Sequence, residues 1–367
     1  MIYWVWLTQI SGVGPKRQRV LLEKFNTPEN IYNASLDDLL ICDGIGQKTA
    51  KSIMEERSLE KAYKIMDNVK KLNIELLTLD NPLYPDEAKS IEEMPVLLYY
   101  KGKLIENSMG VAIVGARRCS DYGKMVTDDA ASYLAKERIC VISGMAKGID
   151  SYAHTSCIKS GGYTIAMLGN GLDICYPPEH MELMEKIIEN GAIISEYPPG
   201  VKPDQKHFPR RNLLISAWSH KILVVEAGAK SGSLITANYA KKYGREVFAL
   251  PDSIYSKESL GSNRLIHDGA NIYLKEEQLL IDNRYECKQN VVEDNNDKLL
   301  INLDETEKKI IEILSHGEKT LEELSIITGI KMMSLVEKLS LMELEDKVII
   351  KGSLVGTYHP NYVEATL

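Results

Sequence analysis

The chain has 367 residues, 44% hydrophobic and 26% charged, and no apolar run approaches the roughly 18 residues of a membrane-spanning helix. That length favours two or three domains over one small module, and 44 Lys+Arg against 52 Asp+Glu, a net charge of −8, argue against a chain that coats duplex DNA through bulk positive charge. The first ten residues, MIYWVWLTQI, have neither a basic n-region nor a small-residue cleavage site, so a cytoplasmic protein is expected.

In chain order, residues 8 to 56 hold a short internal repeat: Ile10-Ser-Gly-Val-Gly-Pro-Lys and Cys42-Asp-Gly-Ile-Gly-Gln-Lys, each followed by a helical run. A Gly-hydrophobic-Gly turn that opens a helix is the helix-hairpin-helix pattern, whose backbone N–H groups suit a nucleic-acid phosphate. The same glycines would also serve as plain inter-helix turns, and both readings stand at this point. This gives a small helical, SAM-like domain over residues 1–65.

From residue 73 short Val/Ile-rich runs alternate with helix-length segments. The runs are 111–115, 139–143, 163–168, 192–195, 221–226, 246–250 and 271–274. They lack inside/outside alternation and tend to end in small or polar residues, as parallel strands buried on both faces do. The expected fold class is α/β: an extended Rossmann-like, doubly wound parallel sheet over residues 66–285, with its ligand crevice at the carboxyl ends of the strands. Residues 286–300 read as an acidic linker. In 301–367, segments 306–315, 320–328 and 331–344 read as three helices, Thr320 and Glu323 are spaced as a capping box, and 348–351 and 354–358 read as strands, an order that suits a winged-helix-like domain.

Charge is uneven along this plan. Residues 109–275 carry 20 Lys+Arg against 17 Asp+Glu, a balance of +3, whereas 303–351 carry 7 against 11, a balance of −4. The six cysteines are scattered without zinc-ligand spacing, so reduced, mostly buried thiols are expected and neither a metal nor a cofactor is.

Four loops combine glycine or proline with cations. Gly115-Ala-Arg117-Arg118 follows the first strand of the rhythm, Ser143-Gly144-Met-Ala-Lys147-Gly148 the second, and Lys230-Ser231-Gly232 opens a helix. The fourth, His207-Phe-Pro-Arg210-Arg211-Asn212, comes after a Pro-rich loop and brings two forked guanidinium groups. One such loop is weak evidence; four on one sheet edge point to an extended anion site. No G-x-G-x-x-G fingerprint or Walker A loop is present, and no nucleophilic motif appears. Asp150 and His154, four apart on an expected helix, could form an acid/base pair, although a structural hydrogen bond at the helix start is the plainer expectation.

The stretches VAIVGARRCSDYG, ISGMAKGIDSYAH, GGYTIAMLGNGLDICYP, ISEYPPG, FPRRN, LVVEAGAKSGSLITA and GSNRLI resemble, in order, the DprA/Smf family, the DNA-processing protein A family. The resemblance implies a protein without enzymatic activity that binds and protects single-stranded DNA, homodimerises through the Rossmann-like domain and helps load the RecA recombinase in natural transformation or DNA recombination. By motif match it places Arg117, Lys147, Arg210, Arg211, Asn212, Lys230 and Ser231 at the DNA. One departure is Pro251-Asp252-Ser253, where family members follow the strand with Pro-Gly. The alternative from another class is a nucleotide-processing enzyme resembling phosphoribohydrolases of related fold, but their P-G-G-x-G-T-x-x-E loop is absent. A duplex-reading transcription factor is disfavoured by the acidic third domain.

Overall fold

The computed structural model describes residues 1–106, 108–282 and, within 305–357, all but 315, 316, 318, 345–347, 352 and 353. The acidic linker expected over 286–300 lies outside the described residues. The chain divides into two compact units, Met1–Glu286 and Cys287–Leu367.

Six helices open the first unit: α1 (Ile2–Gln9), α2 (Pro15–Phe25), α3 (Pro28–Asn33), α4 (Leu36–Leu40), α5 (Gln47–Glu55) and α6 (Glu60–Lys71). The two repeated turns lead into α2 and α5. Gly12 and Gly44 hold φ at 76° and 75°, a conformation that a Cβ resists, and Gly14 and Gly46 cap the helices that follow. The first turn and its helix are tied to other parts of the unit: the Ser11 N–H donates to both carboxylate oxygens of Glu56 at 3.2 Å, Lys16 pairs with Glu92 at 3.0 Å and lies 3.7 Å from Glu93, and the Arg19 guanidinium donates to the carbonyls of Lys89 (2.7 Å) and Met94 (3.1 Å). Hairpin one is therefore a brace against segment 89–94. The hydrophobic interior of these helices (Val5, Leu21, Ile53, Ile65) is continuous with one face of the sheet through Leu97, Ala166 and Ile193.

The sheet has nine strands: β1 (Glu75–Thr78), β2 (Leu97–Gly102), β3 (Gly110–Val114), β4 (Val141–Ser143), β5 (Thr164–Leu168), β6 (Gly191–Ser195), β7 (Ser219–Val224), β8 (Glu246–Ala249) and β9 (Asn271–Ile272). Their order is β1-β2-β6-β5-β4-β3-β7-β8-β9. The seven expected strands are all present and run parallel, β3 to β6 on one side and β7 to β9 on the other. The expected parallel sheet is extended at one edge, where β1 and β2 add an antiparallel pair, β2 running against β6. The 97–102 run looks like any buried strand in sequence; after α7 (Asp86–Lys89) its direction shows only in its pairing with β1 and β6. Helices α8 (Asp121–Lys136), α9 (Ile149–Lys159), α10 (Met181–Asn190), α11 (His207–Ala217), α12 (Ser233–Lys242) and α13 (Leu260–His267) cover the faces. Because β3 is flanked by β4 on one side and β7 on the other, the order reverses there and opens a crevice at the carboxyl ends.

The second unit has helices Glu305–Leu314, Leu321–Thr328 and Met332–Leu344 with a small antiparallel sheet, β10 (Lys319–Thr320), β11 (Val348–Lys351) and β12 (Leu354–Thr357), β12 central. The capping box expected at Thr320 and Glu323 is formed, with reciprocal N–H bonds of 3.2 and 2.8 Å. Among the described residues no helix is long and apolar enough to cross a membrane.

The brace is testable. Arg19→Ala leaves two carbonyls without their charged donor, and the expected loss is about 2 kcal/mol of unfolding free energy in urea titration; an unchanged midpoint would show the brace to be ornamental.

Candidate nucleic-acid interface

Three of the four cation-bearing loops leave the carboxyl ends of β3, β4 and β7, and the fourth is wound into the first turns of α11. Together they line a cleft of about 720 Å³ at the switch point, to which Gly115, Arg117, Arg211, Asn212, Lys230, Ser231 and Gly232 all contribute. A recess of about 60 Å³ adjoins it, sharing Arg117, Phe208 and Arg211 and adding Gly144 and Lys147. Arg118, Ser143, Gly148 and Arg210 line neither.

The cations divide by environment. Arg117, Arg118, Lys147 and Lys230 are exposed, and Lys147 is met by Glu179. The FPRRN pair is different, and the expectation of two solvent-facing forks there is corrected. Arg211 is only 7% exposed; its Nε donates to Asn212 Oδ1 at 3.0 Å, and its Nη1 donates to the carbonyls of Gly144 and Met167 (3.3 Å) and lies 4.0 Å from Asp150. Arg210, with its side chain 31% exposed, makes a two-pronged pair with Glu196 (3.2 and 3.0 Å) and donates to the Glu93 carbonyl at 3.2 Å. Burial works against the Arg210 charge, and Glu196 more than offsets it, so its pKa stands above the ordinary arginine value. The cause is local: the motif starts a helix whose residues 211–217 are all buried, so it points its guanidiniums into protein rather than off a loop.

The backbone N–H groups are also differently engaged than the glycine pattern suggests. The Asp150 carboxylate, at the start of α9, accepts the Gly144 N–H at 3.2 Å and is held by the Ala146 and Gly115 amides as well, so a protein carboxylate occupies the nest of the first two turns. Burial pushes the Asp150 carboxyl up against the pull of Arg211 and those amides. Glu226, at the end of β7, takes the Ser120 N–H at 3.0 Å and its hydroxyl, filling the amino end of α8. Gly144 and Gly148 are there for space: a Cβ on Gly144 would lie 1.6 Å from Arg211 Nη1, and one on Gly148, at φ 79°, would lie 2.3 Å from the Ala116 carbonyl. Ser143 ties β4 to β3 through its hydroxyl and the Ile113 carbonyl, 2.7 Å. At the amino end of α12, capped by Gly232, nothing lies within 4 Å of the missing Cβ, and the first amides are taken locally, Ser233 N–H by the Ser231 hydroxyl at 3.4 Å and Leu234 N–H by the Ser231 carbonyl at 3.2 Å.

Asp150 and His154 are not partners of each other: His154 Nδ1 bonds the Thr164 hydroxyl at 2.7 Å, and burial, aided by Arg211 and His180, lowers its pKa to about 3. The aromatic component was not singled out in sequence although Phe208 sits inside the FPRRN motif. The guanidiniums of Arg117 and Arg211 lie 5.8 and 5.9 Å from its ring centroid, and Tyr176 packs on it at 5.7 Å. The departure at Asp252 is also explained: its carboxylate accepts the Ser253 N–H at 2.6 Å and the Ser259 hydroxyl, and its main chain pairs with the Asn263 side chain, so the turn is built by side chains instead of glycine.

Comparison with known proteins accords with this geometry. Residues 75–284 match the family described as DNA recombination-mediator protein A, and residues 7–58 match the SAM-like helix-hairpin-helix tandem. The chain is 40% identical over 283 residues to Protein Smf of Synechocystis, covering 76% of this chain and 71% of that one, and 40% identical over 198 residues to the DNA processing protein DprA of Streptococcus pneumoniae, covering 54% and 70%. The crystal structure of the S. pneumoniae protein superposes with a TM-score of 0.67 at 31% identity, over 78% of this chain and 99% of that one. A structure of DNA processing protein A from Helicobacter pylori, described for its single-stranded DNA binding mode, superposes with a TM-score of 0.50 at 32% identity, over 56% and 93%.

Two measurements separate structural from surface cations and expose the buried histidine. Arg210→Ala is expected to cost about 1–3 kcal/mol of stability, because it strands Glu196, whereas Arg117→Ala stays within about 0.5 kcal/mol of the parent in thermal melts. With a folded-state pKa near 3 against 6.5 unfolded, His154 makes the unfolded chain bind more protons on acidification, so stability falls between those values. Its share is about 2 kcal/mol from pH 7 to pH 5, and urea titrations of His154→Leu should lack that part of the dependence.

Proposed function

Because the chain belongs to the DNA recombination-mediator protein A family, we propose that it binds single-stranded DNA along the carboxyl-edge cleft, protects it, and helps load the RecA recombinase in natural transformation or DNA recombination. The observation that carries the binding step is the pairing of exposed cations with an aromatic platform: Arg117 over Phe208, flanked by Lys147 and Lys230. Cations that follow a backbone and rings on which any base can stack are what sequence-tolerant single-strand binding requires. Of the expected DNA residues, the proposal assigns direct contact to Arg117, Arg118, Lys147, Lys230, Ser231 and Gly232. Gly115, Ser143, Gly144, Gly148, Arg210, Arg211 and Asn212 shape and hold the cleft.

In this reading residues 66–285 bind the strand and form the homodimer, residues 1–65 brace them, and residues 301–367, the winged-helix-like domain, do not grip DNA. No cofactor and no catalytic step enter.

A titration of single-stranded against duplex oligonucleotides at several salt concentrations tests it. We expect a single-strand preference and a slope of log K on log salt of about −2 to −3.5, as three to five neutralised phosphates give. Arg117→Ala and Lys230→Ala should each reduce the slope by about 0.7. Duplex preference, a flat salt response, or release of base or phosphate from nucleotides would overturn the reading.

A further inference from the structure

The carboxyl edge of the sheet gathers exposed rings as well as cations. Among the described residues the most exposed aromatic side chains are Tyr63, Tyr122, Tyr176 and Tyr255, at 58%, 42%, 41% and 90%. Tyr63 belongs to α6 in the helical layer, and the other three stand at the carboxyl edge. Tyr176 lines the cleft, Tyr122 is in the first turn of α8, the helix that follows β3, and Tyr255 tips the loop 251–259 that leaves β8. That loop is the next neighbour of the cleft: β8 pairs with β7, and the Lys257 carbonyl lies 3.5 Å from where a Cβ on Gly228, a cleft residue, would stand. Its far end is tied to the same place, the Gly261 and Ser262 N–H groups sharing the Ala227 carbonyl at 2.7 and 3.2 Å. Burial first and the Asp252 carboxylate second raise the Tyr122 phenol above its ordinary pKa, so Tyr122 adjoins the start of the loop. The tip itself is held. The Tyr255 N–H donates to the Ser253 hydroxyl at 3.2 Å, the Ser256 N–H donates to the Ser253 carbonyl at 3.0 Å, and the Ser256 and Ser259 hydroxyls are 3.3 Å apart beside the Asp252 clasp. The most exposed ring of the described residues is therefore presented on a fixed backbone, and stacking on it freezes little more than its own two torsions.

We propose that Tyr255 is a stacking platform for a base of the bound single strand, which continues out of the cleft from the β7 loop over the β8 loop. The proposal rests on the single-strand reading of the cleft and extends it by one loop. β7 and β8 are one strand spacing apart, about 4.8 Å, so a strand seated at the β7 loop reaches its neighbour along the same edge. Charge is not the attraction, since Lys257 and Glu258 offset each other and the loop adds a ring without net charge. Stacking on a tyrosine serves any base, because every base has a π-face. A protein partner fits less well: apart from Ile254, 74% exposed, the tip 253–258 offers two serines, a lysine and a glutamate around the ring, short of the apolar centre of a protein interface.

The test uses the full-length chain and oligothymidylates of increasing length, followed by fluorescence anisotropy. Tyr255→Ala should weaken the long oligonucleotides about tenfold and leave a short one, confined to the cleft, within about twofold of the parent. Its slope of log K on log salt should match the parent's, unlike that of Lys230→Ala, because a ring and no charge has been removed. Tyr255→Phe should keep the parent's affinity and Tyr255→Leu should lose it, and in Tyr255→Trp the added indole should be quenched by a long oligonucleotide beyond any change in the parent. Unchanged thermal melts confirm that each variant folds. If the parent binds single strands and Tyr255→Ala binds long ones equally well, this proposal falls and the cleft reading stands; a parent that binds no single strand overturns both. Equal affinity of Tyr255→Leu and the parent also overturns it, as does a fall in sedimentation mass of Tyr255→Ala, which would make the occupant a second copy.

Discussion

The cleft depends on a buried ion pair, Arg211 and Asp150, set in its floor. Removing two opposite charges from water costs several kcal/mol for each, so the pair persists only because every neighbour satisfies it. Arg211 reaches the Gly144 and Met167 carbonyls and the Asn212 side chain, while Asp150 takes the amides of the β3 and β4 turns. Those bonds join the ends of β4 and β5 to the first turns of α9 and α11. The loops that reach the solvent hang from this knot, and Gly144 has no side chain because the guanidinium fills the space.

This arrangement decides how much positive potential the cleft presents. Asp150 and Glu226 each place a carboxylate where a backbone anion site would otherwise open, and Glu196 and Glu179 engage Arg210 and Lys147. What faces outward is a small set of exposed cations around Phe208. Such a surface reads charge spacing and ring stacking, with few donors left over to discriminate bases. It also reconciles the proposed single-strand site with a chain whose net charge is −8.

Much of this was legible in the sequence because it depends on period and punctuation. Seven parallel strands announce themselves as Val/Ile runs, and the loops at their carboxyl ends could be placed on one edge before any coordinates. The antiparallel pair β1 and β2 escaped because a short apolar run reads alike in either direction, and pairing partners decide the direction. The roles within the loops escaped for a different reason: glycine beside a cation describes an anion nest and equally a tight packing point. Only the position of a distant carboxylate, Asp150 for the β3 and β4 turns and Glu226 for α8, distinguishes the two. Phe208 was hidden in plain view, since an aromatic within an arginine motif reads as core until its neighbours are known. The two hairpins make the same point, as one sequence pattern became a brace where Glu56, Glu92 and Lys89 happened to face it.

Glu93 gives the molecule a mechanical property. Its carboxylate is shared by Lys16 of α2 and Lys242 of α12, and its carbonyl holds Arg210 of α11. Helices that flank the cleft and a helix of the N-terminal brace thus converge on one residue. A load on α11 or α12 would be shared through this junction with α2 of the helical layer. A shift of any one of these three helices is therefore felt by the other two, because each would have to give up a contact with the same residue.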